Sequence, residues 1–75
     1  MGDAGIPRLT PDEVIAVLRR RRFQRIRTSG SHQKWRNEAT GKQVIVAYHR
    51  GRMVPLGTMK AIIEGSGIPL DQWRK

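Results

Sequence analysis

A single histidine lies in a short, strongly basic stretch of the chain, SGSHQKW, at residues 29–35. A Ser-Gly pair is typical of a tight turn, so His32 is expected at the start of a strand, with Lys34 on the same strand face. Histidine transfers protons near neutral pH, since its ordinary pKa is about 6.5, and basic side chains bind phosphate. Cutting RNA by internal transfer needs a base, an acid and positive charge on the phosphate, and it needs no metal. The stretch is therefore a candidate site for RNA cleavage.

The charge of the chain also predicts an anionic partner. Fifteen Lys and Arg residues stand against six Asp and Glu, giving a formal net charge of +9. Eight of the basic residues lie between Arg19 and Arg36, where there is no carboxylate. A phosphate backbone is the partner that would use such a region.

Other classes of protein are disfavoured by composition. The chain has no cysteine, two histidines and six scattered carboxylates, so we expect neither a metal site nor another cofactor. It lacks the run of about 20 apolar residues that a membrane span needs. The absence of cysteine is typical of a reducing compartment, and we expect a cytoplasmic protein.

A helix is predicted to begin at Pro11, in the sequence LTPDEVIAVLRRRR. Thr10 is a suitable N-cap, and Glu13 completes the spacing of a capping box. The acidic pair Asp12 and Glu13 would then lie at the positive end of the helix. Capping explains this pair better than acid–base catalysis does.

Three strands are predicted next, from FQRIRT, SHQKWRN and KQVIVAYH, with turns at Ser29-Gly30 and at NEATGK. Loops of even length would separate charged from apolar residues on the two sheet faces. In the first hairpin this predicts Arg27 opposite His32, Arg25 opposite Lys34, and Ile26 on the face of Trp35. In the second it predicts Val44, Val46 and Tyr48 on the Trp35 face, and Ile45, Ala47 and His49 on the His32 face.

The rest of the chain predicts a second helix and a closing turn. LGTMKAIIEGSG has helical spacing of apolar residues and is ended by Gly65–Gly67, and IPLDQW then places Leu70 and Trp73 toward the core. The result is a single α+β domain over residues 1–75, with helices on one face of a three-stranded antiparallel sheet and the other face open. Residues 1–8 are expected to be flexible.

Each candidate has a structural alternative. An exposed strand histidine at position 32 also serves as a plain phosphate contact, and His49 can cap the following loop. The Arg19–Arg22 run complements the helix dipole or contacts nucleic acid. The aromatic residues Trp35, Tyr48 and Trp73 are expected in the core rather than stacked on bases. Ser31 should point away from His32, which argues against a Ser/His nucleophile pair.

Taken in order, SGSHQKWRN, VIVAYH and LGTMKAIIEGSGIPLDQW resemble the HicA toxins of type II toxin–antitoxin modules, from about Thr10 to Trp73. The resemblance implies a fold similar to the double-stranded-RNA-binding domain, in the order α-β-β-β-α. It implies a metal-independent mRNA endoribonuclease, silenced by a HicB-type antitoxin. His32 then corresponds to the catalytic histidine, presented by a turn of Gly30 and Ser31. The ending VAYH departs from the more typical Val-Pro-x-His, which leaves His49 without a role.

The function expected is therefore that of a ribonuclease toxin with His32 as general acid or base. The residues expected to bind the RNA backbone are Arg25, Arg27, Lys34, Arg36, Arg50 and Arg52. The alternative is a non-catalytic RNA-binding module that uses the same basic sheet face. A third hypothesis makes the basic surface a docking site for an acidic partner protein.

Overall fold

A computed structural model describes residues 5–74, which contain two α-helices, three strands and a short 3₁₀ turn. The elements are α1 (Pro11–Arg20), β1 (Phe23–Ser29), β2 (His32–Asn37), β3 (Gln43–Ala47), α2 (Leu56–Ser66) and the 3₁₀ turn (Leu70–Gln72). The strands form one antiparallel sheet in the order β1-β2-β3. The predicted α+β order is confirmed. Across residues 5–74, neither α-helix has the length and apolar character that a membrane crossing requires.

Helix α1 begins where the sequence predicts because its first turn satisfies its own backbone groups. The Thr10 hydroxyl accepts a hydrogen bond from the backbone N–H of Glu13 at 3.3 Å, and the Glu13 carboxylate accepts one from the backbone N–H of Thr10 at 2.9 Å. Pro11 occupies the first helical position, where the missing N–H costs nothing. The capping interpretation of Glu13 is confirmed.

Both helices pack on one face of the sheet, where a single hydrophobic core forms. Its largest members are Trp35 and Trp73, each 1% exposed, and they join apolar residues from both helices. Tyr48 is half-buried against the same core. The three aromatic residues therefore pack as predicted, and the indole of Trp35 is not available to stack on a base.

The first hairpin differs from the predicted register. A two-residue turn pairs Ser29 with His32 and Arg27 with Lys34, so Arg27 lies opposite Lys34 rather than His32. A β-bulge then inserts Ile26 as an extra residue, and Arg25 pairs with Trp35. The prediction for Arg25 was therefore wrong: by register it belongs to the helix side of the sheet.

The bulge also explains why Ile26 is not in the core. Phe23 and Ile26 are three residues apart, so a regular strand cannot bury both on one face. The structure buries Phe23, at 3% exposed, and leaves Ile26 46% exposed. The prediction that Ile26 would lie in the core beside Trp35 was wrong.

The second hairpin follows the prediction. The backbone N–H of Asn37 donates to the carbonyl of Lys42, closing an even loop of four residues, 38–41. Trp35 then pairs with Val44, and Lys34 pairs with Ile45. The strand residues therefore lie on the predicted faces, whereas His49 falls in the loop beyond β3.

Helix α2 is ended by a glycine. Its C-cap residue, Gly67, has a φ of 71°, a left-handed conformation that favours glycine.

The two ends of the described chain meet. Near the end of the chain, the Arg74 guanidinium donates to the carbonyl of Gly5 at 3.0 and 3.2 Å, and Ile6 packs half-buried against the core. The flexibility expected for residues 1–8 stays a prediction, and its first four positions lie outside the described residues.

Candidate nucleic-acid interface

The turn between β1 and β2 presents His32 at the end of the sheet. Gly30 has a left-handed φ of 59°, a conformation that glycine adopts at little cost. The carbonyl of Ser31 accepts a hydrogen bond of 2.7 Å from the backbone N–H of Tyr48, which ties the turn to the end of β3. Gly30 and Ser31 thus form the predicted turn, held from the side by the third strand.

A shallow depression of about 160 Å³ opens beside this turn on the helix-free face of the sheet. It is lined by Arg27, Ser29, His32, Lys34 and Ile45. We call it the sheet-face depression. Its lining contains one imidazole, two cations and no carboxylate, so it offers a proton-transfer group next to positive charge. One proton-transfer group and positive charge are two of the three things that phosphodiester cleavage needs, the third being a second proton-transfer group.

The imidazole of His32 is open to a substrate. The residue is exposed, and within residues 5–74 its side chain has no hydrogen-bond partner. Register places it directly opposite Ser29 and next to Ala47 on β3. A small residue on one side and a small hydroxyl residue on the other leave room around the ring for a phosphodiester.

Ser29 is a lining residue that was not predicted from the sequence, where Ser31 alone was weighed as a partner of His32. The residues alone predicted the turn at Ser29-Gly30, but it lies at Gly30-Ser31 and pairs Ser29 with His32. The position of the turn was therefore the missing signal. The Ser29 hydroxyl is able to donate a hydrogen bond within the depression.

Arg36 lies on the same sheet face as His32 and Lys34, but its guanidinium is already close to a carboxylate. It lies two residues beyond Lys34 on β2, and its side chain is 39% exposed. Its Nε lies 3.8 Å from a carboxylate oxygen of Glu38, a distance that allows an ion pair but not a hydrogen bond. An incoming phosphate would compete with Glu38 for this guanidinium.

Arg50 and Arg52 lie in the loop after β3, outside the sheet-face depression. Both are exposed, and the backbone N–H of Arg52 donates to the carbonyl of His49 at 3.0 Å. Arg52 and His49 line a separate depression of about 360 Å³ between this loop and the start of α2. The structure therefore does not bring either arginine together with His32 in one cavity.

Arg25 lies in a third place. It lines a groove of about 680 Å³ at the junction of α1 and β1, together with Arg19, Arg22, Phe23, Gln24 and Trp35. We call this the helix-end groove. The predicted row of basic residues on one face is thus divided between two sides of the sheet.

Among residues 5–74, no three His, Asp or Glu side chains lie close enough together to hold a metal ion. The carboxylates of α1 have other contacts: Glu13 caps the helix, and Asp12 accepts a hydrogen bond from the Tyr48 hydroxyl at 2.9 Å. The charge that could bind a nucleic acid is therefore carried by arginine and lysine side chains.

The family model described as the HicA toxin of bacterial toxin–antitoxin systems matches residues 11–68. The chain belongs to this family. The match runs from the first residue of α1 past the end of α2, so it includes the whole sheet and the turn that carries His32. Membership identifies the protein as the toxin component of a toxin–antitoxin system and confirms the resemblance found in the sequence. No curated protein matches the chain.

Proposed function

We propose that this HicA-family toxin is an endoribonuclease that cleaves mRNA, with His32 as general acid or base. The observation that carries the proposal is the sheet-face depression, where an exposed imidazole without a hydrogen-bond partner lies beside a cross-strand pair of cations, Arg27 and Lys34. A histidine that served only the fold would be buried or hydrogen-bonded to its neighbours. Membership of the HicA family supports the same proposal, because toxins of this family cleave mRNA.

The proposed reaction uses the 2′-hydroxyl of the RNA as nucleophile. A base removes its proton, the 2′-oxygen forms a bond to phosphorus, and the bond from phosphorus to the 5′-oxygen breaks. The leaving oxygen takes up a proton, and the products are a 2′,3′-cyclic phosphate and a 5′-hydroxyl end. His32 performs one of the two proton transfers, while Arg27 and Lys34 stabilise the negative charge that grows on the phosphate.

A single-stranded segment suits this surface. The depression is shallow, and it lies on a flat sheet face that a folded helix of RNA would meet only along its backbone. Ile45 is 46% exposed at its margin and offers an apolar contact for an unstacked base. Arg36 extends the cationic row along β2, and Arg50 and Arg52 add charge beyond the end of β3.

The partner we propose is a HicB-type antitoxin encoded beside the toxin, and the compartment we propose is the cytoplasm, where mRNA is translated. A toxin with a formal net charge of +9 favours an acidic partner. An antitoxin that covered the sheet face would compete directly with RNA for the same cations.

The decisive experiment is cleavage of a defined single-stranded RNA by the purified protein in excess EDTA, with RNA binding measured in parallel. We expect His32→Ala to cut about 100- to 10,000-fold more slowly than wild type, the usual contribution of a general acid or base. Binding should be nearly unchanged, because the cations remain. His49→Ala is the matched control, since it removes the other histidine from outside the depression, and it should cut like wild type.

A second substrate tests the chemistry. A single 2′-deoxy substitution at the cleaved position removes the nucleophile, so it should block cleavage there without reducing binding. If His32→Ala and wild type behave alike, His32 has no part in the reaction. A non-catalytic RNA-binding module on the same sheet face then becomes the better account.

A further inference from the structure

The helix-end groove is a second concentration of positive charge, separate from His32. Three of its six lining residues are arginines and none is acidic, and the remaining three are Phe23, Gln24 and Trp35. All three arginines are exposed, and within residues 5–74 none of them forms an ion pair. The groove therefore contains positive charges that no carboxylate among residues 5–74 neutralises through an ion pair.

One of these arginines is held in place by the core. The guanidinium of Arg19 lies over the ring of Trp35, 5.3 Å from the ring centroid. This cation–π contact takes up no hydrogen-bond acceptor, so the N–H groups of the guanidinium stay available to donate to an anion. Because Trp35 is 1% exposed, Arg19 rests on a rigid support and loses less side-chain entropy on binding an anion.

A second arginine reaches the groove only through the β-bulge. Without the extra residue at Ile26, the alternation of the strand would place Arg25 on the face of Lys34 and His32. The bulge pairs Arg25 with Trp35 instead and so moves it to the side where Arg19 lies. Bulges often change the direction of a side chain near a functional site.

The third arginine occupies a backbone position that favours glycine. Arg22 follows the C-cap of α1 with a left-handed φ of 69°, and it is the only non-glycine residue among residues 5–74 with a positive φ. Its backbone N–H donates to the carbonyl of Arg19 at 3.1 Å, which closes the helix end. Helices commonly end with glycine at this position because a side chain there is strained. An arginine in its place adds charge to the groove at a cost in backbone energy.

The chain next to the groove is held by hydrogen bonds. The side-chain amide of Asn37, which pairs with Phe23, donates to the carbonyl of Arg21 at 3.0 Å and ties the end of α1 to the end of β2. The same side chain accepts two backbone hydrogen bonds from the following loop, from Ala39 at 2.8 Å and Thr40 at 3.1 Å. The backbone that carries Arg22 is therefore joined to the sheet at the residue before it.

We propose that the helix-end groove is a second RNA-binding site, which holds backbone phosphates of the strand whose scissile bond lies at His32. The proposal rests on the function proposed above. Three residues along β2 separate His32 from Trp35, or about 10 Å at the usual rise of a strand. Strand β1 is an edge strand, so an RNA strand leaving the sheet-face depression can pass around it into the groove without meeting another element of the sheet.

The competing explanation is that these arginines only stabilise the negative end of α1. It predicts that removing Arg22 affects stability and leaves RNA binding alone. The substitution Arg22→Gly separates the two explanations, because glycine relieves the left-handed backbone while it removes the charge. We expect its melting temperature to equal or exceed that of wild type, and its affinity for RNA to fall.

The experiment measures binding of a single-stranded RNA oligonucleotide as a function of salt, in the full chain carrying His32→Ala so that the probe stays intact. On this background we expect Arg22→Gly and Arg25→Gln each to weaken binding about two- to fivefold, the range of an exposed ion pair. Each should also lower the slope of log K against log[salt] by about 0.7, the value for one phosphate contact with a single strand. A dinucleotide, too short to reach the groove, should bind all variants equally.

Arg8→Gln is the matched control. It removes one exposed positive charge at the other end of α1, away from both basic regions. An equal loss with Arg8→Gln, or an unchanged salt slope in both groove variants, would overturn the proposal. So would variants that bind RNA like the parent but lose affinity for the purified antitoxin, since the groove would then serve a protein partner.

The outcomes also separate this proposal from the proposed function. If the protein binds RNA through the groove but does not cut it, the groove site stands and the catalytic role of His32 fails. If the wild type cuts RNA while both groove variants keep its salt slope, catalysis stands and the groove site fails. If the wild type binds no RNA, both fail.

Discussion

The sheet-face depression and the helix-end groove contain similar numbers of cations but differ in what surrounds them. The depression contains His32, and its two cations, Arg27 and Lys34, are a directly opposed pair on β1 and β2. The groove has no group suited to proton transfer, and its arginines are set by a helix end, a strained residue and a bulge. The difference teaches that charge alone does not define a site: the first region contains a group that can transfer protons, and the second contains only groups that can hold an anion.

The two regions share one buried residue, Trp35. Its ring supports Arg19 in the groove, and its strand carries His32 and Lys34 on the opposite face. A change at Trp35 therefore tests whether the regions depend on a common core, whereas changes at the surface test whether they act separately.

The largest effect is expected from Trp35→Ala. It removes a fully buried indole whose N–H donates to the Gln33 side chain at 3.1 Å, so it leaves both a cavity and an unpaired buried carbonyl. The free energy of unfolding should fall by about 3–5 kcal/mol, measured by chemical denaturation. Trp35→Phe keeps a ring in the core and should lose clearly less. A loss below about 1 kcal/mol for the alanine variant would show that Trp35 is not the common support.

The next effect separates the two regions by kinetics. Lys34→Gln removes a cation beside His32 and should slow cleavage at saturating RNA on the order of a hundredfold, the scale for a group that stabilises transition-state charge. Arg25→Gln should leave that rate near wild type and raise only the RNA concentration needed for half-saturation. Initial rates of cleavage over a range of RNA concentrations, with RNA in excess over protein, measure both quantities. If Lys34→Gln and Arg25→Gln slowed cleavage equally at saturating RNA, the two regions would act as one site.

A smaller effect is expected in the turn. Gly30→Ala forces a side chain into a left-handed conformation with φ of 59°, although no atom lies within 4 Å of the added Cβ. The cost is backbone strain alone, about 1–2 kcal/mol of unfolding free energy. Cleavage should fall because His32 shifts, while binding to the groove persists. A Gly30→Asn variant should recover part of the loss, since asparagine tolerates this conformation better.

The smallest effect is expected at Tyr48, which lines neither region. Its hydrogen bond to the Asp12 carboxylate, with partial burial and the charge of Asp12 adding to it, raises the pKa of Tyr48 above its ordinary value of 10.0. A raised pKa means that the bond stabilises the fold fully below about pH 10 and that the stabilisation is lost as the pH rises through the raised pKa.

Melting temperatures of wild type and Tyr48→Phe measured from neutral to alkaline pH check this sign. Wild type should melt above the variant at neutral pH, and the difference should shrink above about pH 10. RNA binding at neutral pH should be the same for both proteins. If the difference in melting temperature grew as the pH rose above about 10, the raised pKa of Tyr48 would be contradicted.

Prediction from sequence succeeded where the information is local. The cap of α1 depends on Thr10 and Glu13, three residues apart, and the end of α2 depends on Gly67. The second hairpin was predictable because Val44 and Val46 lie two residues apart and an even loop places both on the face of Trp35. In each case a few neighbouring residues satisfy the backbone or bury one face.

Prediction failed in β1, where the pattern contains a conflict. Phe23 and Ile26 cannot both face the core from a regular strand; Ile26 was predicted to do so, but Phe23 does. The prediction for Ile26 also placed Arg25 beside His32, and for that reason the helix-end groove was not predicted. Ser29 was missed because the residues alone predicted the turn at Ser29-Gly30, whereas it lies at Gly30-Ser31 and so pairs Ser29 with His32.

The amino-acid sequence was enough to indicate the order of elements, the capped helix, the turn before His32 and the excess of positive charge. These features rest on contacts within a few residues or on composition. The folded sheet was needed to show which side Arg25 and Ile26 occupy. Burial of Phe23 in the core competes with strand alternation, and a single inserted residue reverses the faces of everything on one side of it. That balance depends on α1 and β2, which are distant along the chain, and so it is settled only when they pack together.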